Sequence, residues 1–575
     1  MRLAAATAAL SLSIAVLAQR QQGQEVLSGS MGGGAGNNPL DDGFGAFVRD
    51  ALERWHVPGM AVAVVDGEET WTNGYGISSF PSTPVTPSTL FYTGSTTKAF
   101  TAAIVALLIA SGDHTYSGAP LGWQTPLAHL LRDDFVLAPG QEWAAAHLTL
   151  EDALSHRTGF PRHDKALGRR YAPDEHPATV RDVVRGLRYL PAVAEPRTVW
   201  RYCNLMYMVV AHAVQEVTGE WLGDTMRDRL WAPLGMDDTF LSVGQAMGAG
   251  REVAGGYYWD YQAGGGFVEV PKLGLGLASG AGGIVSSVAD YAKWVRCLID
   301  GDGDGDGKEN GEGSGCGVLP REAHRELKAA RVVLPPESRK GYDAPLSYAL
   351  GWHAGTYKGH RLFTHSGGME AYGALVYFFP DLKYGVVTLG NTAVSSNVVG
   401  MELVWKLIDD KLGIAQADRY DWAGLGNKTI QSQLKQPETA VEELYPERAN
   451  QPLPPALRLQ EYVGVYSHPA YQTITLELVD TDGATTTKNS ETTRGPRGQL
   501  KADRGNMEWQ MTFEFIHVSG EFWAVVIDML NSPNSLNGQL ARAEFVVGVK
   551  GKVDKLKMEF LEDGSEGVIE FDKIV

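Results

Sequence analysis

The chain has 575 residues, 44% of them hydrophobic, enough to bury large cores and to form more than one domain. A formal charge of −18 argues against nucleic acid or an anionic membrane surface as partner, since both depend on clustered positive charge and no basic run is present. Only three cysteines occur, Cys203, Cys297 and Cys316, so at least one thiol lacks a partner within the chain.

At the N-terminus, Arg2 precedes the apolar stretch Leu3 to Leu17, which is short for a bilayer span and ends in small residues suited to cleavage after Ala18. Residues 1–18 are read as a secretory signal peptide, with an uncleaved anchor or a plain disordered start as the other readings; cleavage would leave no membrane span. Residues 19–43, rich in Gly, Ser and Gln up to Asn38, form a flexible lead-in. From Phe47 a helical segment gives way to two strands, Met60 to Val65 and Glu69 to Gly76, with a turn at Asp66-Gly67. Ser95 and Lys98 then stand three apart at the head of an Ala-, Leu- and Ile-rich run through Ala110. A helix starting near Gly94 puts hydroxyl and amine on one face, beside the unpaired N–H groups of its first turn. That arrangement suits a serine nucleophile, although Ser-x-x-Lys alone is a common pattern.

Helical periodicity returns over Leu205 to Val217, directly after Tyr202-Cys203-Asn204, and over Val288 to Ile299. Residues 301–317 begin like a calcium loop, with Asp302, Asp304 and Asp306 as ligands and Gly307 at the turn. The twelfth position is Gly313, where a bidentate Glu is needed, so a low-complexity surface insertion is expected instead. His365-Ser366-Gly367-Gly368 opens a strand-rich stretch that ends at Asn391. Strands at both ends of a helical middle predict an α+β sandwich, a central antiparallel sheet built from both ends of the domain and flanked by helices. Residues 416–455 are polar and contain proline, which reads as a linker; Asn427-Lys428-Thr429 is a glycosylation sequon that matters if the chain is secreted. Over 456–575, alternating segments such as Gln472 to Leu478 and Lys555 to Phe560, with a turn at Glu562-Asp563-Gly564, predict a small antiparallel β-barrel.

The order Ser95-x-x-Lys98, Tyr202-x-Asn204, His365-Ser366-Gly367 resembles the serine β-lactamase and penicillin-binding-protein superfamily. The match is closest to its class C β-lactamase-like branch of esterases, D-aminopeptidases and acyltransferases. Asp152 to Pro161, Leu230 to Thr239, Ala278 to Ser287 and Leu350 to His353 look like further landmarks of that branch, and residues 44–415 form the implied catalytic domain. Appended barrels of lipocalin-like shape occur in some relatives.

The resemblance assigns roles. Ser95 attacks an ester or amide carbonyl; Lys98, if burial and a neighbouring cation depress its pKa, or Tyr202 takes the proton. Asn204 orients Lys98 and the substrate amide, and the N–H groups of Ser95 and Gly368 form the oxyanion hole. Ser366 and Gly367 belong to the substrate-flanking strand. One departure is His365, where β-lactamases carry a lysine that helps hold a substrate carboxylate; an imidazole is largely neutral at pH 7. Cys203, between Tyr202 and Asn204, is expected to form a small piece of the site wall. The expected function is therefore a serine hydrolase of a small-molecule ester or peptide-like amide, needing no metal or organic cofactor. An acyltransferase passing the acyl group to an alcohol or amine is the alternative, and a non-catalytic binding protein of the same fold is a third reading. Oligomeric state is not legible.

Overall fold

The computed structural model describes residues 38–116, 118–171, 176–261, 264–301, 316–480, 498–529, 536 and 538–575. The expected signal peptide, most of the lead-in and the calcium-like stretch Asp302 to Gly313 lie outside the described residues.

Helix α1 (Asp42–Arg54) is capped by Asp41, whose carboxylate accepts the Phe44 N–H at 2.8 Å. Strands β1 (Gly59–Asp66), β2 (Glu69–Ser79) and β3 (Thr83–Pro84) follow. The middle of the chain is mainly helical, including α2 (Thr97–Ser111), α3 (Asn204–Thr218) and α4 (Val288–Asp300). Strands then return as β4 (Val332–Val333), β5 (Ser347–Tyr348), β6 (His353–Tyr357), β7 (His360–Met369), β8 (Tyr372–Phe379) and β9 (Tyr384–Gly390). These nine strands make one sheet in the order β4-β5-β6-β7-β8-β9-β1-β2-β3. The antiparallel pairing of β1 with β9, Met60 opposite Gly390, is what unites the two ends of the domain.

Period-two alternation on β1 explains why it reads as one apolar run. Ala61, Ala63 and Val65 face the core that holds α2, α3 and α4, while Met60, Val62 and Val64 face the core with α1 and α5 (Ser395–Lys411). Helices on both faces leave neither side of the strand for solvent. The window Gly94–Ser111 is apolar and long enough to pass for a membrane span, but 72% of it is buried inside the protein, so its apolarity serves the core.

The expected linker, residues 416–455, is largely helical. Residues Trp422–Leu444 form a helix, α6, that continues through Pro437. An interior proline removes one backbone hydrogen bond, and tertiary contacts offset the loss. Trp422 stacks on Trp405 of α5 with ring centroids 5.0 Å apart, and Ala440 and Leu444 pack with Val518, Ala524 and Leu540 of the following domain. Helix α6 therefore bridges two domains.

The second domain is a closed antiparallel barrel of eight strands: β10 (Gly464–His468), β11 (Gln472–Asp480), β12 (Gly498–Asp503), β13 (Met511–Ser519), β14 (Phe522–Met529), β15 (Gln539–Val547), β16 (Val553–Phe560) and β17 (Val568–Lys573). β17 closes the ring on β10, with Tyr466 opposite Lys573. Inward residues such as Tyr466, Phe513, Trp523, Phe545 and Phe571 fill it, as expected at this strand number. The barrel docks on the catalytic domain through backbone bonds, Glu508 N–H to Leu167 O at 2.7 Å and Arg169 N–H to Asn506 O at 3.1 Å. Cys297 of α4 is disulfide-bonded to Cys316, closing the base of the insertion.

Candidate active site

Ser95 lies in a single 3-10 turn, Gly94–Thr96, that feeds α2. Gly94 holds a φ of +51°, and a Cβ there would sit 2.8 Å from the Gly368 nitrogen. Glycine therefore lets the helix start abut strand β7, bringing the N–H-bearing ends of two elements together.

Lys98, one turn on, is fully buried, with Nζ 3.1 Å from Ser95 Oγ, 2.7 Å from Asn204 Oδ1 and 2.8 Å from the Ala281 carbonyl. Burial, then the Arg162 guanidinium, hold its pKa well below the ordinary lysine value, with Asp164 and Cys203 opposing. Tyr202 donates its phenolic proton to Ser95 Oγ at 2.8 Å. Burial outweighs Arg162 and raises the Tyr202 pKa, keeping it a phenol. Asn204, at the first position of α3, is committed on both sides of its amide: Oδ1 accepts from Lys98 and Nδ2 donates to Asp164 Oδ2 at 2.8 Å.

On β7, His365 is buried and both ring nitrogens are engaged. Nδ1 lies 2.7 Å from the Ser366 carbonyl, an acceptor, and so carries the proton, while Nε2 accepts from Tyr348 OH at 2.9 Å. Burial, then His353 and Lys98, hold its pKa well below the usual histidine value, so the ring is neutral. Ser366 and Gly368 are exposed to the cavity. Gly367 is required sterically, because a Cβ there would meet the Thr93 carbonyl oxygen at 1.9 Å. Gly367→Ala is accordingly expected to push β7 away from the serine turn and lower kcat by about tenfold to a hundredfold, checked by steady-state kinetics beside a circular-dichroism spectrum.

Cys203 departs from expectation. It is wholly buried in the hydrophobic core, it is absent from the cavity wall, and burial pushes its thiol up to about 12. Its backbone N–H donates to His156 Nδ1 at 3.1 Å, and its thiol meets the backbone of Leu205 and Met206 at the start of α3. Its neighbours Tyr202 and Asn204 face the cavity while Cys203 points inward.

Charged side chains pack against these groups, and the motif spacing did not indicate them. The Arg162 guanidinium lies over the Tyr202 ring, 4.6 Å from its centroid, and Nη1 pairs with Asp164 Oδ2 at 3.1 Å. Two partners come from the β16–β17 turn of the barrel: Arg162 Nε donates to Asp563 Oδ2 at 2.6 Å and is 3.3 Å from Glu562 Oε1. Lys165 reaches Glu562 at 3.0 Å and Glu566 at 3.3 Å. Burial pushes Asp164 up to about 6, although Arg162 opposes the shift. Glu562 moves the other way, to about 2, because Lys165 and Arg162 outweigh its burial.

These groups open on a cavity of about 590 Å³ with walls from three parts of the chain. Ser95, Tyr202 and Asn204 supply the polar side. Val398 and Met401 of α5 and Trp422 and Leu425 of α6 form an apolar side, and Met511, Ile527 and Met529 add the mouth of the barrel. An apolar chamber with a few convergent polar groups suits a small organic or peptide-like ligand.

Comparison with known proteins agrees with this geometry. The beta-lactamase family model matches residues 44–406, and the model described as "Domain of unknown function (DUF3471)" matches residues 448–573. An unguisins hydrolase of Aspergillus campestris is 40% identical over 518 residues, 89% of this chain and 88% of that protein. One from Aspergillus violaceofuscus is 41% identical over 514 residues, 88% of this chain and 86% of that protein. Among solved structures, the octameric penicillin-binding protein homologue from Pyrococcus abyssi shares the fold with a TM-score of 0.54 at 18% identity, covering 90% of this chain and 98% of its own. The chain thus belongs to the β-lactamase family, as a β-lactamase-related serine hydrolase that carries a β-barrel domain after its catalytic fold.

Proposed function

We propose that this hydrolase works through an acyl-enzyme at Ser95 and cleaves a peptide-like amide or ester that needs no free carboxylate, with an unguisin-type compound as the leading substrate class. The observation that carries the reading is the convergence on Ser95 Oγ of a buried amine at 3.1 Å and a phenolic donor at 2.8 Å. The relatives named unguisins hydrolase, aligned over 89% and 88% of this chain, support the substrate class.

The hydrogen bonds favour Lys98 as the acylating base. A neutral amine has two N–H bonds and one lone pair. Asn204 Oδ1 and the Ala281 carbonyl are acceptors only, so they take the two N–H bonds and leave the lone pair for the Ser95 hydroxyl. Ser95 Oγ bonds to the substrate carbonyl carbon as its proton passes to Lys98 Nζ. The carbonyl π electrons move to oxygen, where the N–H groups of Ser95 and Gly368 hold the charge. Collapse breaks the bond to the amine or alcohol, which leaves with a proton relayed from Lys98 through Tyr202. Water then repeats the sequence on the ester, and release of the acid restores Ser95. Neutral His365 leaves the strand without the fixed cation that a carboxylate would need.

The Cys297–Cys316 disulfide supports export of the chain, since such bonds persist in oxidising compartments. Intact-protein mass spectrometry of the secreted protein after exposure to an activated ester tests both points. A mass beginning at Gln19, with an acyl adduct that requires Ser95 and decays to free acid, is the expected result. An adduct on a Ser95→Ala variant would overturn the mechanism, and transfer of the acyl group to an added amine in preference to water would make the protein an acyltransferase.

A further inference from the structure

A cation beside a reactive serine is the natural receptor for a substrate carboxylate, and this cavity contains two, Arg162 and Lys165. Both are occupied. Arg162 has three carboxylates within 3.3 Å, Asp164 from its own loop and Glu562 and Asp563 from the barrel turn. Lys165 is shared between Glu562 and Glu566. A pair made only for stability would need one acid for each cation. Here acids outnumber cations, and with Glu370 the cavity wall carries four carboxylates against two cationic side chains. The turn is also fixed in place: Arg201 Nη1 donates to the Asp563 main-chain carbonyl at 3.1 Å.

We infer that the β16–β17 turn of the barrel is a specificity element, in which Glu562 and Asp563 act as positioning residues that cage Arg162 and so set the cavity against substrates bearing a carboxylate near the scissile bond. The inference rests on the reading that the scissile bond lies at Ser95, and it deepens that reading by giving the reason a neutral substrate is preferred. Electrostatic rejection of a wrong partner is a recognised route to specificity. The cage acts by taking the guanidinium out of the reach of a substrate anion, its donors being held by three carboxylates. Asp563 is the rim group, with 54% of its side chain exposed, whereas Glu562 is 22% exposed.

Binding can be read without turnover. Trp200, Trp422 and Trp509 line the cavity, so tryptophan fluorescence reports occupancy in the full-length Ser95→Ala protein. Titration with N-acetylphenylalanine amide and with N-acetylphenylalanine compares two ligands of nearly equal size that differ in charge. The amide is expected to bind at least tenfold tighter. Asp563→Asn and Glu562→Gln, which keep hydrogen-bonding capacity but remove charge, are each expected to narrow that ratio by about tenfold, and adding Arg162→Gln to either should restore it. Equal affinities in the unaltered cavity, failure of the amide to bind, or a narrowing that survives Arg162→Gln would each overturn the inference. Should one cage variant fail to fold, the other carries the test, and equal affinities in the unaltered cavity would still overturn the inference. Failure of the catalytic reading shows separately, as absence of Ser95-dependent turnover in the unsubstituted enzyme.

Discussion

Ser95→Ala and Lys98→Met are each expected to lower kcat by on the order of 10⁶-fold, and the double variant to be no slower than either single one. The reason is that the two groups perform one act. Without the hydroxyl there is nothing for the amine to deprotonate, and without the amine the hydroxyl remains a poor nucleophile. Methionine approximates the length of the lysine stem, so the apolar surroundings of Lys98 among Tyr202, Tyr207 and the α2–α3 interface stay filled. Steady-state kinetics on an activated ester, with thermal unfolding measured on the same samples, checks the claim. A double variant slower than either single one by the product of their losses would mean that the two residues act independently, and the shared step would have to be abandoned.

Arg162→Gln is expected to move the acidic limb of the kcat/KM profile about 1–3 units toward higher pH, an effect of up to about a thousandfold below that limb. Lys98 is useful as a base only when deprotonated, so activity rises as pH passes upward through its pKa. Burial and the Arg162 cation both depress that pKa, while Asp164 raises it. Deleting the cation removes that depressing influence, so the pKa rises and the limb moves up. Arg162→Lys keeps a charge and should return the limb most of the way, which separates electrostatic tuning from a general loss of packing. A limb that stays in place in Arg162→Gln would show that burial alone sets the protonation of Lys98.

The parts of this site that were legible in the sequence lie in short local motifs, and the resemblance to a known family supplied how those motifs meet across more than a hundred residues. Ser95 and Lys98 meet because they are three apart on a helix, and Tyr202 and Asn204 because they flank the start of another. The sheet was legible because β1 and β9 are rich in Val and other apolar residues, and the barrel because its strands alternate. Arg162 was hidden for the opposite reason. Its partner Asp563 lies 401 positions away, and a dipeptide of acids before glycine reads as a turn whatever it touches. Arg162, Asp164 and Lys165 carry the missing charges, in a run that begins just after the landmark ending at Pro161. Helix α6 was hidden by its polar faces and by Pro437; its buried stripe of Trp422, Gly426, Ile430, Ala440 and Leu444 is sparse because two different domains each cover only part of it. Cys203 was misplaced because the register of a bend decides which way a side chain points, and composition does not record that register.

The division of the cavity between two domains has a consequence for descent. On the proposed mechanism the atoms that make and break bonds sit on the catalytic fold, whereas much of the cavity wall belongs to α6 and to the barrel. Drift in the β16–β17 turn or in the methionines at the barrel mouth can change an organism's diet of substrates while the nucleophile is inherited unchanged.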